Sequence, residues 1–97
     1  MVRYSLYPMY SDKSVAHGFQ SITTARGKAA EMLYHDTYGR FIVRDFQGES
    51  RMIAVRDASK RIVGYVEMVE GYSLRWHADG KMYFMSYYGG INGIAKE

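Results

Sequence analysis

At 97 residues the chain has room for one domain with a single core and not for two. Its 47% hydrophobic and 24% charged residues describe a folded globular domain rather than a disordered one, and the absence of cysteine removes disulfides, thiolate catalysis and Cys-based metal sites together. A formal charge of +3 is only a weak bias toward anionic partners, below what a dedicated phosphate-tracking surface carries.

The first residues, Met1 to Pro8, lack the apolar run of a signal peptide, and no stretch of the chain reaches membrane-spanning length, so a cytoplasmic protein is expected. Arg3 to Tyr7 is expected to form a strand stopped by Pro8, whose missing N–H suits a strand end or a sheet edge. Residues 9–20 mix Ser, Asp, Lys, His and Gly without period and are expected to be a loop. From Ser21 onward Ile22, Ala25, Ala29, Met32 and Leu33 recur at helical spacing, with Thr24, Lys28, Glu31 and His35 opposite them. This period predicts an amphipathic helix over about 21–37, with Ser21 as N-cap and Gly39 free to take the left-handed conformation that ends it.

The second half is punctuated by the turn signals Gln47-Gly48-Glu49-Ser50, Asp57-Ala58-Ser59-Lys60, Glu70-Gly71 and Ala78-Asp79-Gly80-Lys81. Between them Arg40 to Phe46, Arg51 to Arg56, Arg61 to Val69, Tyr72 to His77 and Lys81 to Tyr88 are rich in β-branched, aromatic or Met residues. Such short connections demand antiparallel neighbours. The expected fold is α+β: a single two-layer domain, 1–97, in which one helix packs on an antiparallel meander of five to six strands in the order β-α-β-β-β-β-β, with 89–97 as a C-terminal tail.

Alternation assigns the faces. In Arg61 to Val69 the set Ile62, Gly64, Val66 and Met68 is uninterruptedly apolar or small and is expected to face the helix. Tyr65 and Glu67 then fall on an open face with Arg75, His77, Lys81, Tyr83 and Tyr87, and Arg44 and Arg56 are candidates to join them, while Tyr72, Leu74 and Trp76 face inward. Tyr and Arg supply large contact area with a polar handle, so this basic, aromatic sheet face is the expected binding surface, led by Tyr65, Arg75, His77, Lys81, Tyr83 and Tyr87. The competing explanation is that Tyr is a good strand residue and that Tyr and Arg pairs simply stabilise a half-exposed sheet. A secondary surface is expected on the helix, where Gly27 falls with Ala30, Glu31 and Tyr34 on the solvent side and small residues beside a tyrosine leave room for a partner's backbone or a second copy.

No motif points to catalysis. Tyr38-Gly39-Arg40-Phe41-Ile42-Val43-Arg44-Asp45-Phe46 departs from the signature of an RNA-recognition strand, with Arg40 where an aromatic belongs and Asp36 where a basic residue belongs. Arg26-Gly27-Lys28-Ala29 lacks both the earlier glycine and the following Ser or Thr of a phosphate-binding loop. His77 and Asp79 make at most two ligands, His17 and His35 lie apart, and neither Ser11, Ser14 and Ser21 nor Asp45, Asp57, Glu67 and Glu70 are spaced for acid–base or nucleophilic work. No catalytic residues, cofactor or metal are therefore expected. The sequence suggests a small non-enzymatic interaction module, accessory or inhibitory in kind, that engages a protein or nucleoprotein partner through its sheet face. The alternatives are direct single-stranded nucleic-acid binding by the same face, tested by its salt dependence, and an enzyme whose site is shared at an oligomer interface. Lys81 to Tyr88 carries little charge to protect an edge, so cover by the first strand, by the tail or by a second chain is expected there.

Overall fold

The structure, a computed structural model, describes residues 3–9, 11–45, 48–69 and 73–78. It is an α+β domain in which one helix packs on a six-stranded antiparallel sheet. The elements run β1 (Tyr4–Pro8), β2 (Ala16–Phe19), α1 (Ile22–Tyr34), β3 (Ile42–Asp45), β4 (Gly48–Arg56), β5 (Ile62–Val69) and β6 (Ser73–Ala78). The expected Lys81 to Tyr88 strand, its edge and the tail lie outside the described residues.

Helix α1 starts as the sequence implies: Ser21 is extended, and its Oγ accepts the Thr24 N–H at 3.0 Å. It stops at Tyr34, three residues short of expectation, because Asp36 turns the chain by accepting the Arg40 N–H at 2.7 Å and the Phe41 N–H at 3.1 Å. Gly39, at φ +70°, completes that turn. Ala25, Ala29 and Leu33 form the buried stripe, with Met32 packed at its margin.

The sheet order is β2-β1-β4-β5-β6, with β3 also paired to β4. The nine-residue β4 holds two partners on one side: its first half pairs with β3, from Ile42 opposite Arg51 to Asp45 opposite Gly48, and its second half with β1, from Ser5 opposite Arg56 to Pro8 opposite Ile53. The 47–50 turn signal is thus displaced, with Gly48 to Ser50 already in β4. The Asp57 to Lys60 turn forms as expected, closed by Lys60 N–H to Asp57 O at 2.8 Å and by the Asp57 carboxylate accepting the Ser59 and Arg61 N–H groups. Within the expected loop 9–20, Ala16–Phe19 forms β2 against β1, with a bulge at Gly18, φ +89°. Nothing in its local pattern marks it as a strand; the unpaired N–H and C=O groups of β1 supply the reason.

On the helix side of the sheet the core comprises Leu6, Phe41, Ile53, Val55, Val66 and Met68 against Ala25, Ala29 and Leu33. Gly64, Val66 and Met68 belong to this side as alternation predicts. Ile62 does not: Val55 pairs with Gly64 and Arg56 with Ile62, so Val63 is an extra residue, and this bulge turns Ile62 to the other side, where it packs with Tyr7, Ala54, Tyr65 and Met9.

Candidate functional site

The sheet face opposite the helix is not the open surface expected. Registers align Tyr7, Ala54, Tyr65 and His77 in one row across β1, β4, β5 and β6. Small Ala54 lets the two tyrosines flank it, and Tyr65 is left 1% exposed. In the adjacent row Met52, Glu67 and Arg75 stand side by side, with Met52 and Glu67 buried. His77 Nε2 lies 2.8 Å from Glu67 Oε1, a hydrogen bond between two largely buried side chains. The Arg56 guanidinium lies 4.3 Å over the Tyr7 ring and reaches the Ser11 carbonyl at 3.5 Å. Tyr65, Glu67 and His77 are therefore packing and hydrogen-bonding groups rather than a contact surface. Alternation put Tyr65 and Glu67 on the correct side of the sheet but wrongly as exposed, because a strand between two neighbours can be buried on both faces and phenol and carboxylate groups survive there when partnered. Arg44, the other arginine expected there, is exposed and pairs with Glu49 at 3.2 Å. Lys81, Tyr83 and Tyr87 lie outside the described residues.

Arg75 is exposed, and from β6 it borders a groove of about 400 Å³ at the seam between α1 and β6. Thr23, Arg26, Gly27 and Ala30 line the helix side; Val66, Leu74, Arg75 and Trp76 line the strand side. The secondary helix surface thus supplies two of its three expected members, Gly27 and Ala30, while Tyr34, 49% exposed, is not part of the lining.

The groove owes its shape to two glycines. Gly64 lies beneath the Trp76 ring: a Cβ there would run into the ring carbons Cη2 and Cζ2 and stand 2.7 Å from the His77 carbonyl. Without that side chain the indole settles onto the sheet and packs against the core margin. Gly27 works the other way, since a Cβ added to it would meet nothing within 4 Å among the described residues. The side chain missing there leaves space in the groove rather than relieving a contact.

Above Trp76 lies Arg26, its guanidinium carbon 4.6 Å from the ring centroid. The indole is thereby held between Gly64 below and a cation above. Among the described residues neither Arg26 nor Arg75 forms an ion pair and no Asp or Glu lines the groove. Sequence reasoning missed Arg26 and Trp76 as site residues, although the solitary Trp, the strand glycine and the Arg preceding Gly27 were all visible. What was absent was the register, which pairs Trp76 with Val66, two residues along from Gly64 on the neighbouring strand.

Among the described residues no three His, Asp or Glu side chains gather closely enough to hold a metal ion, and no helix is long and apolar enough to cross a membrane. Comparison with protein-family models, curated proteins and solved structures finds no match for this chain.

Proposed function

We propose that this chain is a non-enzymatic interaction module that engages a protein partner through the α1–β6 groove and the adjoining Arg75. One observation carries this: an open groove floored by Trp76 and Val66 holds Arg26 over the indole without an ion-pair partner among the described residues, has Arg75 at its strand border, and is lined by no carboxylate among the described residues. Aromatic and guanidinium groups are the residue types that concentrate binding energy at protein interfaces. The sheet face opposite the helix is the weaker candidate, because Tyr7 and Tyr65, its tyrosines among the described residues, are spent on packing.

Direct single-stranded nucleic-acid binding is less favoured by the same geometry. Base stacking needs an uncovered ring face, and Trp76 has one side against Gly64 and the other under Arg26. Capture from native lysate on the immobilised chain, with and without nuclease, tests the proposal. The expected result is a protein retained after nuclease treatment by the wild type and lost when Arg26→Glu and Arg75→Glu are combined. Captured material that disappears with nuclease, or that ignores the charge reversal, would contradict it.

A further inference from the structure

Resting on that interaction-module function, we infer that the groove takes a carboxylate-bearing, apolar peptide segment of the partner, with Arg26 as the anchor for the carboxylate and Gly27 as the point where the partner's chain approaches the helix. A guanidinium stacked on an indole has lost much of its rotamer freedom before any ligand arrives, so less is lost when it forms hydrogen bonds. Its planar fork of donors matches a carboxylate in two parallel bonds. Arg26 is in that state, stacked on Trp76 and unpaired among the described residues. Val66, Leu74 and the indole give an apolar floor beside it, and Thr23, Gly27 and Ala30 present only small side chains along the opposite wall. The occupant suited to this lining carries one acidic and at least one aliphatic group, a short acidic–apolar segment rather than a nucleotide.

Gly27 adds an energetic argument. Glycine within a helix costs about 1 kcal/mol relative to alanine. Nothing among the described residues asks for it, because its φ is not positive and no described side chain or backbone stands where its Cβ would be. The groove does ask for it: each atom added at position 27 narrows the channel in front of Trp76. Position 27 thus sets stability against access, and the two can be separated by measurement.

Trp76 is the chain's single tryptophan, so its emission reports the groove directly. The full chain is titrated with a short N-acetylated, C-amidated peptide alternating Glu and Leu, with the matching Gln and Leu peptide, and with oligo(dT). The expected result is a saturable change with the Glu peptide alone, weakened roughly tenfold or more in Arg26→Gln, as the loss of a charged hydrogen-bond partner implies. Arg26→Lys, which keeps the charge without the fork, should restore only part of the affinity. Gly27→Gln should leave the far-UV circular dichroism intact, raise the urea midpoint and abolish the titration. Equal response to the Glu and Gln peptides, a response to oligo(dT) that competes with the Glu peptide, or no saturable change would overturn the inference. Emission that moves with protein concentration alone would put a second copy in the groove and would also overturn it. In lysate capture, loss of the partner by Arg75→Glu but not by Gly27→Gln would leave the module standing and remove the groove from it.

Discussion

Under α1 the sheet presents Leu6, Ile53, Val55, Val66 and Met68 to Ala25, Ala29 and Leu33, whereas on its other face Tyr7, Ala54 and Tyr65 pack with Met9 and Ile62 beside a Glu67–His77 pair. Both have a buried centre, the second with Met9, Ile62 and His77 partly buried at its margin, yet the first is mostly aliphatic and the second is aromatic and polar-tipped. The comparison teaches that tyrosine density in a small sheet is not by itself a sign of a binding face. A phenol buries about as much surface as an aliphatic side chain and keeps a polar tip that can be partnered, so it can close a face that a pattern of alternation marks as wet.

The largest expected effect tests whether the two faces are equally structural. Tyr65→Ala should cost about 3–5 kcal/mol, at least matching Leu33→Ala beneath the helix at about 2–5 kcal/mol, as judged by urea midpoints at constant m. A loss below about 0.5 kcal/mol for Tyr65, the usual scale of a surface substitution, would break the comparison and restore the open face.

Gly64→Ala comes next and joins the helix-side core to the groove. Its Cβ collides with Trp76, and overpacking of this kind should cost about 1–3 kcal/mol while shifting the tryptophan emission as the ring lifts from the sheet. Unchanged emission would show that Trp76 does not depend on that glycine. A smaller effect, at the edge of the aromatic face, is expected for Glu67→Ala, about 1–3 kcal/mol at most, since His77 loses a partner in a largely buried setting. A null result in chemical denaturation would mean that water or another group replaces the carboxylate at little cost.

Much of the architecture was legible because it rests on local chemistry. The N-cap at Ser21, the buried stripe of Ala25, Ala29 and Leu33, the Asp57–Lys60 turn and the antiparallel pairing of β3 to β6 in succession follow from spacing and from short connections. The helix-side face of β5 was legible at Gly64, Val66 and Met68 but not at Ile62, because a bulge of one residue at Val63 reverses the alternation and leaves no mark in the sequence. β2 was invisible for a related reason: Ala16-His17-Gly18-Phe19 becomes a strand only because β1 offers it an edge. Of the candidate site, Gly27, Ala30 and Arg75 were named in advance, whereas Arg26 and Trp76, which give the groove its chemistry, were not.

By itself the sequence determined the elements that depend on neighbours within a few positions: one capped amphipathic helix, a run of strands joined by tight turns, and an antiparallel α+β domain free of thiol chemistry. Only the tertiary structure decided that β4 holds β1 and β3 on the same side, that Tyr65 is interior, and that Arg26, Trp76 and Gly64 stack at one seam. The reason is physical. Period and capping act through contacts a few residues apart, while burial of a second face and the stacking of a cation on a ring depend on registers between segments tens of residues apart, where one extra residue in a strand exchanges inside for outside.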